Sequence, residues 1–513
     1  MPLPLRDYRI EEYTRTVCPA CFEERKVRAD DPNAFVDGML VGHSGSIWLR
    51  RFCAKHGETE SLYEEDEAIW KSRFGWATPT STIIPDRDNN FAGFPLGYRD
   101  GLPASHGQHS CILVLNVTEY CNYSCPTCYA SALAPGTPAQ AEESPSLKQI
   151  LYTVDTVIAR EQGTLGVVML SGGEPTVRRD IVELIRELAQ RPITRIMLNT
   201  NGRRIARDDR FLKELETHKS RLEVYLQFDG LTDPIYQELR GEEVFAEKQL
   251  TLSRLQSAGI FTTLVMTVKE GVNEHQVGDV LQLGMSMPRC SGAAIQPVFG
   301  SGRNSGINPM SRTTPTGVLK RLSEQTNGAI KADDFVPLPC SHKDCCDIGY
   351  FVRPGNDGWK SLTDLVGREK MKEWIHLVSN SITFEQTGKA VKEMIKDGTL
   401  QRIFSEQQAP NSLKLAKDLF SMCGCVPGLT ETISILWDRE KQIEKLAERT
   451  FRVTVKMFMD AHTFHEARIR QCCVHVGTFE EDPRRHSFCW RWLFDDATDF
   501  PQRVADNPLR VLQ

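Results

Sequence analysis

Between residues 111 and 298 the chain alternates short apolar runs with longer amphipathic stretches, and this alternation leaves few folds open to it. Runs at 111–117, 166–170, 195–199, 223–228, 261–268 and 293–298 have the length and residue types of buried strands. Between them, 147–161, 180–190, 211–218, 243–258 and 276–285 carry apolar residues at helical spacing. Repetition of strand, helix and strand implies a parallel sheet, and therefore an α/β fold. Six such units are too few to close an eight-stranded barrel, so a partial (β/α)6 barrel is expected. In such folds the chemistry sits on the loops at the carboxyl ends of the strands.

The loop after the first run reads Cys121-Asn122-Tyr123-Ser124-Cys125-Pro126-Thr127-Cys128. Three thiolates at spacings of four and three can wrap one [4Fe-4S] cubane and leave its fourth iron open, whereas an electron-carrying cluster normally takes four thiolates. Later strand ends carry further polar clusters: Ser171-Gly172-Gly173-Glu174-Pro175, Asn199-Thr200-Asn201-Gly202 and Gln227-Phe228-Asp229-Gly230. Paired glycines let backbone approach a ligand, and Glu174 or an exposed carbonyl can accept from an ammonium group.

The triplet, followed by the Gly-Gly-Glu sequence after the second strand, resembles the signature of the radical SAM superfamily. That resemblance implies that S-adenosylmethionine binds the open iron and that one electron cleaves it to a 5'-deoxyadenosyl radical, which removes hydrogen from unactivated carbon. It also implies that Ser171, Gly172, Gly173, Glu174, Asn199, Gln227 and Asp229 surround the cofactor, with Arg240 and Lys269 as cationic candidates for its carboxylate. Many members carry an aromatic residue just before the third cysteine. Here that position is Thr127, and Tyr129 is expected to cover the adenine instead.

The remaining cysteines, out of sixteen, fall into groups. Cys18-x-x-Cys21 with Cys53-x-x-His56 has the spacing of a small knuckle holding zinc or a rubredoxin-like iron. Beyond the barrel lie Cys340, Cys345, Cys346, Cys423, Cys425, Cys472, Cys473 and Cys489, enough for one or two auxiliary [4Fe-4S] clusters. In their succession, these groups are similar to the tetraether lipid synthase family. The features that carry this resemblance also include His109-Ser110-Cys111, Pro339-Cys340-Ser341-His342, Cys472-Cys473-Val474-His475 and the run from Met457 through His465 and Arg468 to Phe488-Cys489. Members of that family join unactivated lipid tails, and related members are linked to methyl transfer onto pterins. The chain departs from the family where a GCPxDCGLC-type pattern is usual. Here it reads Gly97-Tyr98-Arg99-Asp100-Gly101-Leu102-Pro103-Ala104-Ser105-His106, so one auxiliary cluster is expected to be missing.

The net charge of −6 shows no basic footprint for nucleic acid, and no run of eighteen apolar residues spans a membrane. A cytoplasmic protein is expected, with peripheral membrane contact left open and sixteen cysteines read as metal ligands before disulfides. Composition divides the chain into a metal knuckle at 1–85, a linker at 86–105, the barrel at 106–310 and a mainly helical auxiliary-cluster domain at 311–513. The segment 135–145 reads as a loop able to cover the cofactor. The resemblance implies a transferase that abstracts hydrogen and forms a carbon-carbon bond on a lipid or alkyl substrate, with a reductant such as ferredoxin or flavodoxin. A pterin- or peptide-modifying enzyme and a non-catalytic iron-sulfur electron carrier are the alternatives.

Overall fold

The computed structural model describes residues 7–24, 27–28, 31–76, 80–88, 90–136, 144–304, 306–353, 358–369, 371–372 and 449–495. Cys423, Cys425 and most of the expected loop at 135–145 lie outside the described residues.

The N-terminal unit is an antiparallel meander of β1 (Arg9–Val17), β2 (Phe35–His43), β3 (Ser46–Cys53) and β4 (Gly57–Glu64), paired in that order. The six expected barrel strands follow as β5 (Ile112–Thr118), β6 (Leu165–Gly172), β7 (Ile193–Thr200), β8 (Leu222–Gln227), β9 (Phe261–Val268) and β10 (Cys290–Pro297). Each pairs in parallel with the next. The strands are buried on both faces, as parallel sheets covered by crossover helices must be, and so they read as continuous apolar runs. Helix Leu147–Arg160 shows how the crossovers form. Ser146 and Gln149 close a capping box at its start, and Ile150, Val154, Val157 and Ile158 face the sheet.

The C-terminal region is less separate than its composition suggests. Besides helices such as Pro315–Gln325, its described residues supply β11 (Phe335–Pro337), β12 (Cys346–Val352), β13 (Lys360–Ser361), β14 (Thr450–Lys456), β15 (Val474–Gly477) and β16 (Arg485–Ser487). All join the barrel sheet. β14 extends it in parallel beyond β10, and β15 pairs in parallel with β5 at the opposite edge. Both edges of the six-stranded unit are therefore covered by later chain, and the cysteine-rich segments come to lie against the barrel.

The stretch expected as a linker at 86–105 is packed. Its Phe94, Tyr98 and Leu102 are buried in a cluster with Trp490, and Asp86 pairs with buried Arg485 at 2.9 Å. The Tyr98 hydroxyl meets His106 Nδ1 at 2.9 Å, and the Nε2 atoms of His106 and His475 are 3.1 Å apart. The polar and glycine content that suggested a linker reflects turns within this packed segment, whose few aromatic residues anchor it.

The N-terminal meander is tied to the rest through Asp344, which accepts from Trp70 Nε1 at 2.9 Å and from the Tyr63 hydroxyl at 3.1 Å. Beside it, Arg73 is paired with Glu64 and Asp347, each at 2.6 Å. All of these groups are buried, so each charge depends on its partners.

Candidate active site

Cys121, Cys125 and Cys128 line a cavity of about 170 Å³ together with Tyr129, Ser171, Gly172, Gly173, Glu174, Asn199 and Gln227. These are the carboxyl ends of β5 to β8. The cysteine loop is braced from outside by two arginines that the sequence pattern did not single out. Arg303 donates to the Cys125 carbonyl at 2.9 Å and to the Ala132 carbonyl at 2.7 Å. Arg203 donates to the Asn122 carbonyl at 2.9 Å and lies 4.1 Å from the centre of the Tyr123 ring. Thr127 turns its hydroxyl to the Leu239 carbonyl at 2.9 Å and so braces the loop. Burial pushes the Cys121 thiol up, and the negative charge of Glu174 adds to this. At Cys125 burial also raises the thiol, and Arg240 opposes it.

The paired glycines are dictated by contact. A Cβ on Gly172 would stand 2.2 Å from the Thr118 carbonyl oxygen, and one on Gly173 would stand 2.1 Å from that of Tyr120. Gly172 also has a φ of 123°. Glu174 is turned inward as well as lining the cavity. Its carboxylate accepts from Thr176 N at 3.0 Å, the Thr176 and Thr200 hydroxyls at 2.7 Å, and Asn201 N at 2.7 Å. It latches β6 to β7, a positioning task in place of the free acceptor expected from the motif.

Asn199 donates to Ser171 Oγ at 3.1 Å, and Gln227 donates to Asp229 at 2.9 Å. Asp229 is wholly buried and holds the Arg240 guanidinium through two contacts, at 2.6 and 2.7 Å. Arg240 thus reaches the cavity wall beside Cys125 as a fixed cation. Lys269, the other cationic candidate, instead pairs with Glu238 at 2.6 Å, both side chains partly exposed. Lys248 lies behind the cysteine loop, where burial lowers it to about 8, and its ammonium donates to the Asn201 carbonyl.

The opposite wall of the cavity is aromatic. Tyr129 packs against Phe299 at 5.7 Å, Phe488 at 5.8 Å and Trp492 at 5.1 Å, and Phe458 lies 4.2 Å from Phe488. Three polar side chains interrupt this wall. Gln296 Nε2 is 3.4 Å from the Tyr225 hydroxyl, and Lys456 Nζ is 5.5 Å from the Tyr225 ring centre. Burial works against the Lys456 charge, but Tyr225 and Cys346 outweigh it and raise the group. Lys456 comes from β14, too far along the chain for any local motif to have flagged it.

The N-terminal cysteines form the expected metal knuckle. His56 Nδ1 lies 3.4 Å from Cys18 Sγ, 3.4 Å from Cys21 Sγ and 3.6 Å from Cys53 Sγ, and Cys21 and Cys53 are 3.7 Å apart. Bonds of about 2.3 Å to sulfur at tetrahedral angles place donors roughly 3.7 Å apart, so the set fits one zinc or iron ion. Glu24 meets the other ring nitrogen of His56 at 3.3 Å and so orients the ligand. Burial raises Cys21 to about 12. Burial also acts against ionising Cys53, but the backbone N–H groups of His56 and Lys55 overcome it and hold that thiol at about 6.

Cys345, Cys346, Cys472, Cys473 and Cys489 line a second cavity of about 80 Å³ next to the first. Arg468 Nε donates to Cys345 Sγ at 3.4 Å, and Met459 N donates to Cys489 Sγ at 3.3 Å. Donors of this kind to sulfur suit an auxiliary iron-sulfur cluster. Cys340 does not line this cavity and lies beside Cys111 and Cys473.

Comparison with known proteins agrees with this layout. Residues 115–284 match the radical SAM superfamily, and residues 10–65 match the family described as HMPTM N-terminal zinc ribbon domain. The chain is 25% identical to a 7,8-dihydro-6-hydroxymethylpterin dimethyltransferase of Methanocaldococcus jannaschii, over 94% of this chain and 93% of that protein. It is 29% identical to a GTP 3',8-cyclase of Klebsiella pneumoniae over 33% of this chain and half of that protein. Among solved structures, Streptococcus suis SuiB aligns over 43% of this chain and 47% of its own, at 17% identity and a TM-score of 0.35. The full-length relative is named for a pterin, so the expected placement among tetraether lipid synthases gives way to the broader superfamily. A domain of this superfamily implies a [4Fe-4S] cluster and S-adenosylmethionine, and it needs a reductant and a small substrate. No helix among the described residues is long and apolar enough to cross a membrane. The chain carries a radical SAM domain, joined to an N-terminal zinc ribbon.

Proposed function

We propose that this chain is a radical SAM methyltransferase acting on a pterin-like heterocycle. The observation that carries the reading is the alignment, over 94% of the chain, with a protein named as a dimethyltransferase of 7,8-dihydro-6-hydroxymethylpterin. The cavity supports it chemically. Tyr129, Phe299, Phe458 and Phe488 offer flat faces to a ring, and Lys456, Tyr225 and Gln296 offer the donors and acceptors that a nitrogen-rich edge requires.

When bound, the cluster and S-adenosylmethionine supply the radical chemistry of hydrogen abstraction and group transfer. The chain's own residues orient and enclose the reactants. Arg240, locked by Asp229, presents a fixed positive charge suited to the carboxylate of S-adenosylmethionine. Asn199 and Gln227 hold polar edges toward the same ligand. The aromatic wall excludes water from the reacting carbon, and Lys456 supplies a charged hydrogen bond to the substrate ring.

Joining of lipid tails has less support, because a half-buried lysine, a tyrosine and a glutamine facing an alkyl chain would lose hydrogen bonds to water without replacement. The test is anaerobic turnover of the reconstituted protein with dithionite and S-adenosylmethionine carrying a deuterated methyl group. A 6-hydroxymethyl-7,8-dihydropterin is supplied in one arm and a long-chain lipid in the other. A labelled methyl on the pterin supports the proposal. Label or coupling in the lipid arm alone contradicts it.

A further inference from the structure

The thiols near the barrel edge divide into two sets, and one of them has the dimensions of a single ion. Cys111, Cys340 and Cys473 are buried, and their three Sγ atoms all lie within 4.8 Å of one another. Three separate elements bring them together. Cys111 immediately precedes β5, and Cys473 precedes β15. The parallel pairing of those strands sets the two side by side, with Cys111 N donating to the Cys473 carbonyl at 2.9 Å. Cys340 arrives on the turn between β11 and β12, where Leu338 N is anchored to the Cys346 carbonyl at 2.8 Å.

A histidine braces one member of this trio. His109 Nε2 is 3.2 Å from Cys111 Sγ, and His109 Nδ1 is 3.1 Å from Ser81 Oγ. A proton on Nδ1 shared with Ser81 leaves the Nε2 lone pair facing Cys111 Sγ, so His109 is an outer partner that orients this thiol. Thiolates bound to one tetrahedral ion lie roughly 3.7 Å apart, given bonds of about 2.3 Å. The 4.8 Å that encloses these thiols admits such a spacing, which Cys21 and Cys53 of the knuckle show at 3.7 Å.

We propose that Cys111, Cys340 and Cys473 bind a second mononuclear thiophilic divalent ion, zinc by ligand type, with water or another small donor in its fourth position. This separates Cys340 and Cys473 from the auxiliary-cluster thiols with which their sequence positions group them. Cys345, Cys346, Cys472 and Cys489 are left to border the neighbouring cavity. The ion would rivet β5, β15 and the turn after β11, locking the edge of the barrel to the C-terminal strands.

The test measures zinc, iron and acid-labile sulfide in the full-length protein purified anaerobically with zinc supplied. The expected result for Cys111→Ser is loss of one equivalent of zinc with iron and sulfide unchanged. Loss of about four irons with matching sulfide would identify a cluster at these residues and overturn the proposal, and no change in any metal would reduce them to core thiols. Should Cys111→Ser not fold, a Cys18→Ser protein stripped of zinc and titrated with cobalt(II) replaces it. A sulfur-to-cobalt charge-transfer band there, at least tenfold weaker in affinity when Cys340→Ser is added, supports the site. Absence of that band overturns it.

Discussion

At the scale of single residues, the site depends on groups that hold other groups. Glu174 accepts four hydrogen bonds with little exposure, and Glu174→Gln exchanges charge-assisted acceptance for an amide that brings donors facing donors. We expect a loss of about 2–3 kcal/mol, read as a lowered thermal midpoint, together with weaker iron loading. Arg240→Lys removes the two-pronged contact with Asp229, and we expect KM for S-adenosylmethionine to rise roughly tenfold with a smaller change in kcat. Lys248 gives a pH signature. Burial holds it at about 8 against an ordinary 10.5, so between those values the unfolded chain binds the proton that the folded chain has released. Stability relative to Lys248→Met should therefore rise with pH through that window, by at most about 3 kcal/mol, in denaturation midpoints taken from pH 7 to 10.5.

At the scale of elements, the turn after β6 is the least tolerant. Gly173→Ala would drive a Cβ into the Tyr120 carbonyl, 2.1 Å away, and so displace the loop that carries Cys121. We expect protein with a folded zinc ribbon but little iron bound, as measured by metal content and absorption. The same elements show what the sequence discloses. Six strand runs and the cysteine triplet are local patterns, so period and spacing reveal them directly. The knuckle is legible for the same reason, since Cys18, Cys21, Cys53 and His56 come from the start of one short helix and one hairpin. Lys456, Arg303 and the pairing of Cys111 with Cys473 are different, because only the sheet order brings them to their partners. β14 and β15 are short and separated from the barrel by long stretches of chain, and nothing in their own composition says which edge each will extend. The segment 86–105 misleads for a related reason: its turn-forming residues are conspicuous, whereas the burial of Phe94, Tyr98 and Leu102 depends on Trp490.

At the scale of the whole molecule, the zinc ribbon and the C-terminal strands are coupled through buried charge. Asp344 joins Tyr63 and Trp70 of the ribbon region to the cysteine-bearing turn, with Arg73 nearby. Asp344→Ala should cost about 3–5 kcal/mol by leaving Arg73 and Lys343 short of a partner, and limited proteolysis should then release the ribbon. Ile112 of β5 and Lys456 of β14 line both the cavity of the cysteine triplet and the second thiol-lined cavity, so the two adjoin across the sheet. All of this rests on the radical SAM domain working as one. The most direct measurement is 5'-deoxyadenosine released from S-adenosylmethionine under dithionite, comparing anaerobically reconstituted protein with a variant carrying Cys121→Ala, Cys125→Ala and Cys128→Ala. The account predicts release by the unaltered protein and none by the variant. Well-loaded protein that releases none, or a variant that releases as much, would contradict it.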